Sequence, residues 1–217
     1  MKVTEISVTR HLSEDITPEQ LIVQLARVSS PQNQQNHDTA PKLIGYLMRK
    51  GHWSPFEMVD WTIEIHTTRA IAAQLLRHRS FSFQEFSQRY ATVASLGESI
   101  ELPELRMKHE GGNRQGSGEV CDDELISIIA TRAIEEAHHA YDALIKEGIA
   151  PECARMVLPL CTPTRLYMKG SVRSWIHYLN VRCSPDTQKE HREIALAIYD
   201  LFKARFPVIG GHIYMTA

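Results

Sequence analysis

Long hydrophobic runs are missing from this chain. No apolar stretch approaches the ~18 residues of a membrane span, and the opening MKVTEISVTR lacks the apolar core of a signal peptide. An excess of charge of one sign is missing too: 24 Lys+Arg stand against 26 Asp+Glu, a net charge of −2 with the 11 His neutral. That balance argues against a protein that binds nucleic acid through bulk positive charge. Cysteine is sparse. Cys121, Cys153, Cys161 and Cys183 form no CxxC pair, so neither a zinc site nor a disulfide framework is expected. There is no HExxH, and His138 and His139 diverge by about 100° on a helix and cannot share one ion; no metal is expected. GxGxxG and GxxxxGK[ST] are absent as well, and the run Gly111 to Gly118 fits neither. Any nucleotide must therefore be held by side chains outside the Rossmann and P-loop solutions. These absences leave a cytoplasmic globular chain that acts on something small.

What is present is enough to fold. A chain of 217 residues, 43 % of them hydrophobic, can bury roughly 70 % of its unfolded surface and suits one large domain. Val3 to Thr9 reads as an opening strand. Thr17-Pro18-Glu19-Gln20 carries Thr at the N-cap, Pro at N1 and Gln at N3, a capping box that starts a helix with Leu21, Leu25 and Val28 on one face. A second helix carries Leu43, Leu47 and Met48 and stops at Gly51. Val59, Trp61, Ile63 and Ile65 alternate with Asp60, Thr62, Glu64 and His66, the period of a strand with one buried face. Thr67 or Thr68 is placed to cap the helix that follows, through Ile71 to Leu76. Residues 91–120 read as a long loop. Asp122 to Lys146 reads as the longest helix, with Ile129, Ala133, Ala137, Ala140 and Leu144 on its apolar face. A short helix with Arg155, a strand from Thr164 to Lys169, a helix capped by Ser171 and reaching Arg182, and a last helix from Ser184-Pro185 complete the chain. In that last helix Ile194, Ala197, Ile198 and Leu201 share a face. The expectation is a single α/β domain over residues 1–217.

The densest chemistry lies in Arg77-His78-Arg79-Ser80-Phe81-Ser82-Phe83-Gln84-Glu85-Phe86-Ser87-Gln88-Arg89-Tyr90. Guanidinium forks bind phosphate in bidentate fashion and stay charged at any working pH. Amides, hydroxyls and a carboxylate read base edges and sugar hydroxyls. The interleaved aromatics serve either as stacking faces or as core. Farther on, Arg155, Arg165, Arg173 and Arg182 form a second set of cations. Arg155 lies in Arg-Met-Val-Leu-Pro-Leu, among apolar neighbours that place it near the core, where its charge requires an internal carboxylate or an anionic ligand.

Arg77-His78-Arg79, then seven residues, then Ser87 resembles the RHR-x7-S signature of the flavin-dependent thymidylate synthases. The resemblance continues in Ala26-Arg27-Val28-Ser29, in His52-Trp53-Ser54-Pro55-Phe56-Glu57, in Phe83 to Tyr90, and in Arg155-Met156-Val157-Leu158-Pro159. It ends in Arg173-Ser174-Trp175-Ile176-His177-Tyr178 with Arg182. Five ordered blocks over nearly the whole chain make it specific. The resemblance implies a mainly antiparallel sheet flanked by helices and a methyltransferase that converts dUMP to dTMP. Its carbon comes from 5,10-methylenetetrahydrofolate and its electrons from NADPH through FAD. Gln74, Leu75, Leu76, Arg77, Glu85, Phe86, Ser87, Gln88, Arg89 and Arg155 match dUMP-binding positions, and Arg182 matches the arginine that activates the uracil. Ser54, Arg77, His78, Arg79, Glu85, Ser171, Val172, Arg173 and His177 match FAD contacts, and His52 a histidine beside flavin and folate. The resemblance also implies a homotetramer whose active sites combine residues of several subunits, with no nucleic-acid or membrane partner.

Gln84, Ser171 and His177 depart from the family, which often has Asn at each. The alternatives are another flavin-dependent pyrimidine modification such as hydroxymethylation, a single-stranded nucleic-acid platform built on the arginine–aromatic cluster, and a catalytically dead relative. The intact set Arg77, Glu85, Ser87, Arg89, Arg155 and Arg182 argues against the last.

Overall fold

Alternation of apolar and polar side chains builds the central strand. β2 (Asp60–Thr68) buries every second residue, and Trp61, Ile63 and Ile65 are inaccessible to solvent. A computed structural model describes residues 1–97, 100–109, 111 and 116–213. With β1 (Lys2–Val8), β3 (Ser82–Glu85) and β6 (Pro163–Ser171), β2 forms a four-stranded sheet in the order β1-β2-β6-β3. The Arg69 N–H donates to the Thr162 carbonyl at 2.9 Å, and the Val172 N–H to the Val59 carbonyl at 2.9 Å. Residue numbers thus run in opposite senses along β2 and β6, and the two strands are antiparallel. The fold is mixed α/β, with helices flanking this sheet.

The chain divides into two compact units. One comprises Met1–Ile65, His78–Gln84 and the stretch from Tyr167 on; the other comprises His66–Arg77 and Glu85–Leu166. The core of the first is aromatic. Trp61 meets Trp175 of α6 (Val172–Arg182) edge-on at 5.0 Å, and Phe202 of α7 (Lys189–Arg205) at 5.6 Å. Phe81 packs on Trp175 at 4.7 Å. This closeness depends on Gly170 in β6, where a Cβ would lie 2.5 Å from the Phe81 ring. In the same unit α1 (Pro18–Ala26) carries the expected capping box at Thr17, and Gly51 ends α2 (Ala40–Lys50) in the left-handed region at φ 69°. Glu19, in the first turn of α1, is buried and accepts the Ile209 N–H of α8 (Pro207–Gly210) at 2.8 Å. Burial raises its carboxyl above the usual range, against the pull of the Ile209 and Val208 backbone donors.

The second unit corrects several expectations. Residues 91–120 are not one irregular loop. They hold a 3-10 turn at Val93–Leu96 and an antiparallel hairpin of β4 (Arg106–Lys108) and β5 (Ser117–Val120) that pairs Arg106 with Val120. Part of the glycine run lies outside the described residues. α4 (Glu124–Lys146) is the longest helix and starts on Asp123, whose side chain accepts from the Leu125 and Ile126 N–H groups. Its expected apolar face is not a buried face: Ile129 is 60 % exposed, and the helix buries only Tyr141. Near its C-terminal end Leu144 and Ile145 pack with Val93, Tyr141, Ala154 and Leu158 in a small core, while Leu125, Ile126 and Ile128 face out. Periodicity reports that a helix has an apolar stripe, not what covers it. Thr68 stands at the N-cap of α3 (Arg69–Leu75) without a side-chain bond, and the buried Thr67 hydroxyl has no partner. In the first unit, α7 begins at Lys189 rather than Ser184. Its buried stripe is His191, Ile194, Ala195, Ile198, Tyr199 and Phe202, with Ala197 outside it.

Candidate active site

In the first unit, α6 carries two functional faces. Ser171 is the N-cap, and its hydroxyl accepts the Ser174 N–H at 3.3 Å. The cap starts a helix on which Arg173, His177 and Asn180 recur at helical spacing on one side. Trp175, Tyr178, Leu179 and finally Arg182 recur on another. The first side lines a cavity of about 530 Å³ with Trp53, Glu57, Ser80, Ser174 and Ile176. Arg173 is ion-paired to Glu57, and the Ser174 hydroxyl donates to the Ser80 carbonyl at 3.2 Å. Ser54 opens the 3-10 turn Ser54–Glu57, which brings Glu57 to this cavity. His52 lies just before it, its ring 6.1 Å from that of Tyr46. Val172 is wholly buried, so any ligand contact from it is through the backbone.

The second side ends at a half-buried cation without a carboxylate. Arg182 Nε donates to His78 Nε2 at 2.9 Å, and no carboxylate pairs with Arg182 among the described residues. The His78 ring stands edge-on to Tyr178 at 5.0 Å. Arg79 is exposed and has no ion pair among the described residues. A half-desolvated guanidinium held in place by a neutral acceptor is suited to an anionic or electron-rich ligand.

The second unit carries the rest of the predicted residues. Glu85, at the end of β3, accepts from Arg69 Nη1 at 2.7 Å and from the Thr164 hydroxyl at 2.9 Å. The Phe86 N–H donates to the Arg165 carbonyl at 2.8 Å. Ser87 opens the turn that follows: its carbonyl accepts the Tyr90 N–H at 3.1 Å. Gln88 is 4 % exposed, and its amide nitrogen has no partner. Arg89 pairs with Glu152 at 3.3 Å and lies over the exposed Tyr90 ring. Gln74 is half-buried, Leu75 is core, and Leu76 and Arg77 are exposed after the last turn of α3. Arg155 follows the short helix α5 (Pro151–Ala154) and is half-buried. Its neighbours divide: Ala154 and Leu158 belong to the small core, whereas Met156 and Leu160 are 78 % and 71 % exposed, so Arg155 sits at the edge of that core. Arg77 and Arg155 have no ion pair among the described residues, which leaves two cations available to an anion.

Each unit thus gathers its own share of the predicted residues. Trp53, Glu57, Ser80, Ser174 and Asn180 join the cavity without having been singled out as ligand contacts. For Asn180 a signal existed, because it falls three residues beyond His177 and seven beyond Arg173. Phe81 is core and no stacking face. The thiols are poor nucleophiles: burial pushes Cys183 up to about 11 and raises Cys161 as well. Among the described residues no group of three His, Cys, Asp or Glu side chains is placed to hold a metal. No described helix is long and apolar enough to cross a membrane.

Comparison with known proteins agrees with this inventory. The family model described as thymidylate synthase complementing protein matches residues 11–208. A flavin-dependent thymidylate synthase of Synechocystis sp. is 54 % identical over 91 % of this chain and 90 % of its own length. A probable flavin-dependent thymidylate synthase of Paramecium bursaria Chlorella virus 1 is 44 % identical over 94 % and 95 %. Among solved structures, the UMP/dUMP methylase PolB from Streptomyces cacaoi, bound with 5-Br dUMP, superposes with a TM-score of 0.82 at 28 % identity. That match covers 97 % of this chain and 93 % of the other. With the RHR-x7-S motif, the mixed α/β fold and relatives matched nearly end to end, the chain belongs to the thymidylate synthase complementing protein family, the flavin-dependent thymidylate synthases.

Proposed function

We propose that this protein is a methyltransferase that converts dUMP to dTMP in dTMP biosynthesis. It takes carbon from 5,10-methylenetetrahydrofolate and reducing equivalents from NADPH through FAD, which when bound supplies the two-electron transfer. The observation that carries this reading is Arg182, a half-buried guanidinium with no carboxylate partner among the described residues and its Nε held by His78. Placed at the N3/O2 edge of uracil, such a fork stabilises negative charge on the ring and so activates C5 as a nucleophile. Arg77 and Arg155, unpaired among the described residues, suit the dUMP phosphate. Gln74, Leu75, Leu76, Glu85, Phe86, Ser87, Gln88 and Arg89 complete the nucleotide segment. The buried Gln88 amide, with no partner of its own, is a free donor there.

The cavity along α6 fits the flavin, because Arg173, His177 and Ser80 present a cation, an imidazole and a hydroxyl around its walls. Ser54, His78, Arg79, Glu85, Ser171 and Val172 are assigned to the same cofactor, with His52 beside flavin and folate. The outward apolar stretch Leu125, Ile126, Ile128 and Ile129 supports a homotetramer with shared active sites, and the four free thiols suit a cytoplasmic setting.

The test is product analysis. Purified protein is expected to be yellow and to bleach with NADPH. With dUMP and methylenetetrahydrofolate it should form dTMP by mass spectrometry, and UMP should serve as the competing substrate. A hydroxymethylated product would point to the neighbouring reaction, and a colourless protein that takes up no FAD would overturn the reading. Because Cys161 and Cys183 are held protonated, Cys161→Ala and Cys183→Ala are expected to keep kcat within about tenfold of wild type. A loss of several orders of magnitude with FAD still bound would restore a thiol to the mechanism.

A further inference from the structure

Behind Arg182 lies a buried polar pair that the proposed chemistry does not use. Tyr178 of α6 and His191 of α7 are both fully buried, and the Tyr178 hydroxyl lies 3.1 Å from His191 Nε2. The Tyr178 ring stands edge-on to His78 at 72°, and His78 in turn accepts the Arg182 Nε–H. His191 closes the box, its ring 6.4 Å from that of His78. Tyr178 and Arg182 are four residues apart on one helix face, so the pair and the guanidinium share one rigid element.

We propose that Tyr178 and His191 are positioning residues for Arg182. Their hydrogen bond locks the Tyr178 ring, that ring sets the plane of the His78 imidazole, and His78 Nε2 fixes the guanidinium through Nε. The proposal rests on the assignment of Arg182 as the uracil-activating residue.

The hydrogen-bond inventory supports the order of events. Arg Nε–H is only a donor, so His78 Nε2 must present its lone pair, and the imidazole is fixed in the tautomer protonated on Nδ1. With Nε committed to His78, the two terminal nitrogens of Arg182 form a fork of set direction. A free arginine side chain gives up rotamer freedom on ordering. Anchoring Nε in the unliganded protein removes part of that loss from substrate binding. His191 is suited to be the fixed end. Burial, with the nearby positive charge of Arg182, pushes it down to about 3, so it is neutral at working pH and accepts the phenol proton. Burial raises the Tyr178 phenol far above its usual range, so it remains a donor. An apolar pair would fill this core without desolvating two polar groups. The hydrogen bond adds direction that packing alone does not supply.

The test uses the FAD-loaded enzyme and counts rates per flavin-bound site. Tyr178→Phe keeps the ring and removes the bond, and His191→Leu breaks the same bond from the other side if the first variant folds poorly. Either is expected to lower kcat/KM for dUMP about tenfold while flavin content and the KM for NADPH stay within twofold. Arg182→Lys removes the Nε–H, so in that background Tyr178→Phe should add less than a twofold loss. An equal loss in both backgrounds, or an unchanged kcat/KM in Tyr178→Phe and His191→Leu beside an impaired Arg182→Lys, overturns the positioning role. Wild-type activity in Arg182→Lys and in Arg182→Ala would instead overturn the assignment of Arg182 itself.

Discussion

Replacing Arg182 by alanine is expected to lower dTMP formation by at least about 10³-fold at saturating dUMP, the upper range for removing one preorganised donor from a developing negative charge. The protein should stay folded and yellow. Arg182 is the last residue of α6 and only half-buried, and among the described residues it holds no carboxylate that the substitution would leave as an unpaired charge. What alanine removes is a cation whose Nε is already committed to His78. Its two terminal nitrogens remain to donate to a ligand that carries negative charge. The effect should fall on kcat more than on the KM for dUMP, because Arg77 and Arg155 are assigned to the phosphate and are untouched. Steady-state turnover with flavin absorbance recorded on the same sample makes the comparison. Wild-type turnover in the variant would remove Arg182 from the chemistry.

Trp61→Ala is expected to cost about 3–5 kcal/mol of folding stability, the range for truncating a buried aromatic residue. Trp61 has no solvent exposure. Its ring is the hub of an edge-on cluster with Trp175, Phe202 and Phe206 at 5.0, 5.6 and 6.2 Å. Edge-to-face pairs add about 0.5–1.5 kcal/mol beyond area burial, and several are lost together. The indole N–H also donates to Glu5 at 3.0 Å, and the Trp61 carbonyl accepts from Trp175 Nε1 at 3.1 Å. Burial disfavours the Glu5 carboxylate, but the Arg205 and Trp61 donors and the Arg205 charge outweigh it and hold the carboxyl below its usual value. The variant leaves Glu5 with Arg205 at 2.8 Å, so it creates no unpaired buried charge and the loss is one of packing. The urea midpoint should fall with an unchanged slope, and the melting temperature by about 10 °C or more for a chain of this size. A loss under about 1 kcal/mol would mean that this cluster is not the core of its unit.

Local signals read well wherever one short stretch held both the pattern and its stop. The capping box at Thr17, the alternation from Asp60 to Thr68, the Ser171 cap and the left-handed Gly51 all appear where residue chemistry puts them. Signals that depend on a partner read poorly. The apolar side of α4 was legible as a stripe, yet Ile129 stays exposed. The buried stripe of α7 is offset, because the core it meets is aromatic and accepts His191 in place of an aliphatic residue. The hairpin of β4 and β5 was hidden because its strands are only three and four residues long, too short to show a period.

By itself the sequence determined the chemistry available: which arginines, amides and carboxylates exist, their order along the chain, and through that order the family. It also determined the local elements that carry them, since caps, turns and periodicity act over a few residues. Only the tertiary structure decided which groups meet. Arg182 and His78 lie 104 residues apart and Tyr178 and His191 lie 13 apart, and each pair reaches hydrogen-bonding distance. No local rule specifies such contacts. They form because burying the aromatic face of α6 leaves one way to turn that helix, and that turn aims Arg182 at His78.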